Sequence, residues 1–198
     1  MHFSFLCKMQ HKAGFVNIIG NPNVGKSTLM NALIGQKLSI ITHKAQTTRH
    51  RILGILNSDN YQIVFSDTPG IIEPLYKLQE SMMNFVYSAF NDADILIYMV
   101  EVGEKGLKDN KLFEKLKTTD TPLIILLNKI DLAQQDFVSQ EIKKWKKELP
   151  HAELLPISAL NNFNLNVIIT KLVDMLPVSP PYYDKDALTD KSERFFVE

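Results

Sequence analysis

The sequence predicts a doubly wound α/β domain: a mostly parallel six-stranded sheet with helices on both faces and one antiparallel edge strand. Three observations carry this. Apolar runs of strand length alternate with helical patterns from about residue 15 to residue 176. Two of the runs are joined by Ser58-Asp59-Asn60 alone, too short for a helical crossover and right for a hairpin. A glycine-rich loop connects the first run to the first helix. Such alternation gives right-handed crossovers onto one sheet, with ligands held outside the carboxyl ends of the strands.

The elements follow in order. "FVNIIG" (15–20) is the first strand and "KSTLMNALIG" the first helix. "RILGILN" (51–57) and "YQIVFSD" (61–67) form the edge hairpin. Leu75, Leu78, Met82, Phe85, Val86 and Ala89 recur at three- and four-residue spacings, as the core stripe of a helix does. "DILIYMVE" (94–101) and "PLIILLN" (122–128) are continuously apolar, as strands covered on both faces are. Val138, Ile142, Trp145 and Leu149 mark the next helix, "AELLPIS" (152–158) the last strand, and 163–176 the last helix. At Pro177 the pattern stops; "PVSPPYYDKD" is Pro-rich and extended, a linker or surface strap.

Composition bounds the function. The chain has 198 residues, 45% of them apolar and 22% charged, which suits one packed soluble domain with an appendage. Lys plus Arg and Asp plus Glu both number 22, so no global basic field draws it to nucleic acid or an anionic membrane. Cys7 is the sole cysteine, so no intrachain disulfide forms, in keeping with a reducing cytoplasm. The five histidines show no zinc-ligand spacing. No apolar run approaches the ~20 residues of a membrane span, and the short apolar start lacks a cleavage site. The patterned part begins after Met9, which reads as an alternative start.

The chemistry begins at "GNPNVGKST" (20–28): Gly20, Asn21, Pro22, Asn23, Val24, Gly25, Lys26, Ser27 and Thr28. It matches G-x-x-x-x-G-K-[ST], placed between a strand and a helix, as a phosphate-binding loop requires. Its glycines let backbone N–H groups turn toward phosphates, and the helix N-terminus adds a favourable field. Lys26 neutralises the terminal phosphates, and the Ser27 hydroxyl can bind Mg²⁺. Asp67 ends the third strand, where its carboxylate can hold the same Mg²⁺; Gly70 offers an N–H to the γ-phosphate, and a side chain there would obstruct it. In "NKID" (128–131), Asp131 can accept from guanine N1–H and N2–H₂, a pair adenine lacks. Adenine would leave that buried carboxylate unpaired, a discrimination on the order of 10⁴-fold. Asn128 ties the base loop to the phosphate loop, and the stem of Lys129 covers one face of the base. Backbone N–H groups of Ser158, Ala159 and Leu160 can meet guanine O6. In "KLSIITHKAQTTRHR", Thr48, with Thr47 as runner-up, can reach Mg²⁺ once a γ-phosphate is present.

With these elements in this order, the chain resembles a translation-factor-related GTPase and, more narrowly, the bacterial Era family. The narrower resemblance rests on "GNPNVGKSTLMNALIGQKLSI", "THKAQTTRHRILGI", "FSDTPGI" and "LTDKSERFF". It implies a P-loop NTPase fold of the Ras-like G-domain type, GTP/GDP and Mg²⁺ as ligands, and a switch that assists assembly of the small ribosomal subunit. In that family a C-terminal KH domain binds the 3′ end of 16S rRNA. A KH domain needs a GxxG loop; the one GxxG here, "GEKG" (103–106), follows a sheet strand and reads as a surface turn. The expected division is therefore an N-terminal extension (1–13), a G domain (14–176), and a linker with the truncated start of a KH domain (177–198). A monomer is expected, cytoplasmic, with a peripheral place at the inner membrane allowed by the resemblance. "KKWKKE" (143–148) is read as a solvated helix face, with RNA phosphate contact as the minority reading.

Ile71 stands where Ras-like GTPases carry a water-orienting glutamine. GTPases similar to this one use an asparagine, here Asn23, to hold K⁺ against the phosphates, which supplies the charge of an arginine finger. The resemblance thus implies slow hydrolysis with backbone-positioned water, Lys26, Asn23, Thr48 and Gly70 being the residues closest to the reaction. The alternatives are a nucleotide-dependent binding module with negligible hydrolysis, or the G domain of another parent such as a tRNA-modification or iron-transport protein.

Overall fold

The structure is a computed structural model that describes residues 10–36, 38, 52–75 and 77–190. Its elements are β1 (Lys12–Ile19), α1 (Lys26–Ile34), β2 (Ile52–Asn57), β3 (Tyr61–Asp67), α2 (Lys77–Asn91), β4 (Ile95–Glu101), α3 (Asn110–Thr118), β5 (Leu123–Asn128), a 3-10 turn (Ile130–Leu132), α4 (Gln135–Glu148), β6 (Glu153–Pro156) and α5 (Leu165–Met175). The six strands are ordered β2-β3-β1-β4-β5-β6. The β2–β3 hairpin is antiparallel and every other pairing parallel, as the three-residue connection requires.

Period-two alternation sorts the strands into two cores. Val16, Ile18, Ile63, Phe65, Ile97, Met99 and Leu126 face α1 and α5, where Leu29, Met30, Ile168 and Leu172 meet them. Ile19, Leu96, Tyr98, Val100, Ile125 and Leu127 face the opposite layer and pack on Met83 and Val86 of α2, Leu112 and Leu116 of α3, and Trp145 of α4. With both faces covered, the central strands are largely apolar; the buried exceptions include Asn17 of β1, whose Nδ2 donates to the Ala89 carbonyl, and Gln62 of β3. The register Ile18–Asp67, Ile19–Tyr98 and Glu101–Asn128 aligns the carboxyl ends of β1, β3, β4 and β5 along one edge.

The helices depart from the sequence pattern in two places. Leu75 and Leu78, counted as core, are exposed, Leu75 at 86%, because α2 begins at Lys77. The buried residue at that end is Gln79, whose Oε1 accepts from Leu75 N–H at 2.7 Å. No helix was expected between the fourth and fifth strands, yet α3 forms there. The Asp109 side chain caps it by accepting from Leu112 N–H at 3.1 Å. The sheet also begins at Lys12, inside the expected N-terminal extension.

The Pro-rich segment is a strap. Val178 bridges Lys12, Ser179 N–H donates to the His11 carbonyl, and Ile55 N–H, on the outer edge of β2, donates to the Leu188 carbonyl at 2.8 Å. Of "LTDKSERFF", residues 188–190 alone are among those described.

Candidate nucleotide-binding site

The loop after β1 turns at the carboxyl edge of the sheet and feeds directly into α1. Gly25 has left-handed backbone (φ 106°), and a Cβ there would come within 2.4 Å of Asn128 Nδ2, so no larger residue fits. Lys26 opens the helix and folds back into the loop, its buried ammonium donating to the carbonyls of Gly20 (3.0 Å) and Asn21 (2.9 Å). Burial lowers its pKa to about 8, against the attraction of Asp67 and Glu104, which works to raise it. Two of its three donors are used within the loop.

Ser27 Oγ donates to Asp67 Oδ2 at 2.6 Å, which brings the hydroxyl at the start of α1 onto the carboxylate at the end of β3. Two hard oxygen donors meeting beside a phosphate loop fit Mg²⁺, an ion that takes few protein ligands and keeps water or phosphate for the rest. Thr68 Oγ1 is tied to the Ile18 carbonyl at 2.7 Å. Gly70 lies flat on the loop: a Cβ would sit 2.7 Å from Pro22 Cα. Ile71 N–H donates to the Gly20 carbonyl at 3.0 Å, and its side chain is fully buried among Ile19, Met83 and Val86. Ile71 is a core residue, not a residue facing the site.

At the other end of the site, Asn128 is 3% exposed and joins three segments: Nδ2 donates to the Val24 carbonyl (2.8 Å), and Oδ1 accepts from Ala159 N–H (2.9 Å). Lys129 has left-handed backbone and pairs with Glu101 across the ends of β4 and β5. Asp131, on the 3-10 turn, is exposed rather than buried. Ser158 is buried, exchanges backbone hydrogen bonds with Phe163, and accepts at Oγ from Asn161 N–H; Leu160 is exposed. A cavity of about 550 Å³ lies beside this loop, lined by Glu101, Lys129, Leu132 and Phe137 among others.

The structure thus collects Gly20 to Thr28, Asp67, Gly70, Asn128 to Asp131 and Ser158 to Leu160 along one edge of the sheet. Asn23 is exposed with left-handed backbone (φ 65°). Thr47 and Thr48 lie outside the described residues. Sequence reasoning missed the role of the loop 102–108, whose "GEKG" (103–106) reads as a surface turn but which reaches the phosphate loop through Asn21. No spacing rule links positions about eighty residues apart in a chain.

Sheet order, phosphate loop and base loop together define a P-loop GTPase domain. The chain belongs to the family described as 50S ribosome-binding GTPase, whose model matches residues 15–129. Within reach of that family, it is 43% identical over 189 residues to GTPase Era of Staphylococcus haemolyticus, covering 95% of this chain and 63% of the relative. Era of Clostridium beijerinckii is 42% identical over 187 residues, again with 63% of the relative covered. The chain thus spans less than two thirds of the length of these relatives. Among solved structures, it is similar to Era in complex with MgGDPNP and nucleotides 1506–1542 of 16S ribosomal RNA (TM-score 0.87, 38% identity, 93% of this chain and 63% of that one). An Aquifex aeolicus Era variant bound to GDP and AlF₄⁻ matches at the same TM-score and identity. The FeoB G-domain from Methanococcus jannaschii, 24% identical with a TM-score of 0.60, shares the fold. Among the described residues, no helix is long and apolar enough to cross a membrane.

Proposed function

We propose that this chain is the nucleotide-hydrolysing part of an Era-type GTPase, converting GTP and water to GDP and phosphate. The observation that carries this is the fastening of the phosphate loop to the base loop through Asn128. That bond holds the phosphate-binding and base-reading groups in one frame, so a guanine nucleotide can be gripped at both ends at once. Lys26 and the first amides of α1 bind the β- and γ-phosphates, Gly70 N–H meets the γ-phosphate, and Asp131 reads the guanine edge. When bound, Mg²⁺ at Ser27, Asp67 and Thr48, and K⁺ at Asn23, supply positive charge against the phosphate oxygens.

Because Ile71 is in the core, the attacking water is positioned by backbone groups and not by the side chain after Gly70. The G domain spans 12–176, its sheet starting at Lys12, and 177–198 form the linker toward a further domain. The solved Era bound to nucleotides 1506–1542 of 16S ribosomal RNA supports 16S rRNA as the partner of the whole protein, which we read as a cytoplasmic switch in small-subunit assembly. The burial of Ile71 also favours a second reading: a binding module that hydrolyses GTP only with an outside activator.

Phosphate release from GTP, with Mg²⁺ and in matched K⁺ and Na⁺ buffers, separates the readings. The expected result is slow turnover, faster in K⁺, with the difference lost in Asn23→Ala. Equal rates remove the ion from the mechanism. Tight binding with no turnover in either salt establishes the binding module.

A further inference from the structure

We propose that Glu104 is a positioning residue for nucleotide binding: through the Asn21 side chain, it sets the carbonyl groups that hold Lys26. This rests on the guanine-nucleotide reading above. Asn21 is buried, and almost all of its side-chain amide is committed to one loop. Its Nδ2 donates to Glu104 Oε1 and to the Gly106 carbonyl (2.8 Å), while its Oδ1 accepts from Lys108 N–H (3.1 Å). The backbone carbonyl of the same residue accepts from Lys26 Nζ. The side-chain bonds anchor the Asn21 backbone, so a backbone shift when they are lost moves an acceptor of the phosphate-binding lysine directly.

The loop can act as a brace because it is fixed elsewhere. Leu107 is buried in the core layer of α2, α3 and α4, and Lys144 of α4 donates to the Glu104 carbonyl while pairing with Glu141. The carboxylate is needed as such. Oε2 accepts from Glu101 N–H at 3.0 Å while Oε1 accepts from Asn21, so both oxygens face N–H donors. A glutamine offers one acceptor and would turn its NH₂ group against one of those donors. The negative charge also lies close enough to Lys26 to favour its ammonium form. Burial holds the Glu104 pKa above its ordinary value, opposed by these hydrogen bonds and by Lys26.

The test is a double-mutant cycle on the affinity for a fluorescent GDP, with Mg²⁺, using wild type, Glu104→Gln, Asn21→Ala and the double variant. Thermal melts without nucleotide are recorded alongside. We expect Glu104→Gln to weaken binding about tenfold, the value of one charge-assisted hydrogen bond. In the Asn21→Ala background the same substitution should cost clearly less than in wild type, because the part of its effect that runs through Asn21 is already lost and only its charge beside Lys26 remains to be removed. A purely structural role would lower the melting temperature and give losses that multiply. Should Glu104→Gln not fold, Glu104→Asp, which keeps two acceptors but shortens their reach, carries the same expectation. Unchanged affinity in the Glu104 variant, or full multiplicativity, overturns the proposal alone. A folded wild type that binds no GDP overturns it together with the nucleotide reading.

Discussion

Asn128 Nδ2 lies 2.8 Å from the Val24 carbonyl, and with Oδ1 bonded to Ala159 N–H the one side chain pins the phosphate loop, the base loop and the loop after β6. Asn128→Ala leaves a buried carbonyl and a buried amide without their partner. The expected cost is about 2 kcal/mol of stability, or roughly 4–8 °C in Tm. Calorimetry without nucleotide measures it. A variant as stable as wild type would show that the three loops hold one another by packing.

Gln62 does for the strap what Asn128 does for the site. Its buried amide donates to Asn57 Oδ1 (2.7 Å) and the Tyr183 carbonyl (2.8 Å), and accepts from the N–H groups of Tyr182 (2.7 Å) and Tyr183 (3.0 Å). Gln62→Leu keeps the size and removes every bond. Hydrogen exchange at Tyr182 and Tyr183 should rise by on the order of tenfold or more. Protection that stays unchanged would mean that the strap's other contacts, among them the Phe15–Tyr182 ring contact at 5.0 Å and the Ser179–His11 and Ile55–Leu188 bonds, hold it without Gln62.

Much of this was legible in the sequence, for a physical reason. Strands covered on both faces are mostly apolar, so β4 and β5 appear as near-continuous apolar runs and the other four as apolar stretches with few polar breaks, and a three-residue connection leaves the hairpin no choice of direction. Asn128 could be assigned to the loop junction because it stands in the motif "NKID", although its partners lie 104 and 31 residues away. What stayed hidden belongs to no motif. Helix α3 buries just Leu112 and Leu116, too short a stripe to stand out. Gln79 is polar yet buried because it serves a backbone N–H ahead of its helix, while Leu75 looks like core and is not. Glu104 gains its place from Asn21, a contact no periodicity announces.

Lys26 makes nucleotide affinity depend on pH. Burial puts its pKa at about 8 in the ligand-free protein, below the ordinary 10.5. Phosphate favours the ammonium form, so binding raises the pKa and takes up a proton wherever the free protein has lost one. Affinity for GDP should therefore be full below pH 8 and fall as pH rises through it, by at most about tenfold per unit. The sign for folding is the opposite: a lysine with lowered pKa disfavours the folded state while charged, so ligand-free stability gains between pH 8 and 10.5. Titrations at pH 7 and pH 9 decide it. Equal affinities would show that Asp67 and Glu104 keep Lys26 charged beyond pH 9.

Restoring the glutamine of Ras-like GTPases is the direct test of what Ile71 does. If the site merely lacked a water-orienting group, Ile71→Gln would accelerate hydrolysis. The structure argues otherwise, since Ile71 is 0% exposed and its backbone N–H is bonded to the Gly20 carbonyl, which fixes the direction of its side chain into the layer beneath. A glutamine there buries an amide among Ile19, Met83 and Val86, where nothing apolar can satisfy it, at a cost of about 2 kcal/mol. The expected outcome is a lower Tm with no gain in phosphate release, in K⁺ or in Na⁺. A faster variant of unchanged stability would require residue 71 to leave the core when GTP binds, and Asn23 would then no longer be needed to explain turnover.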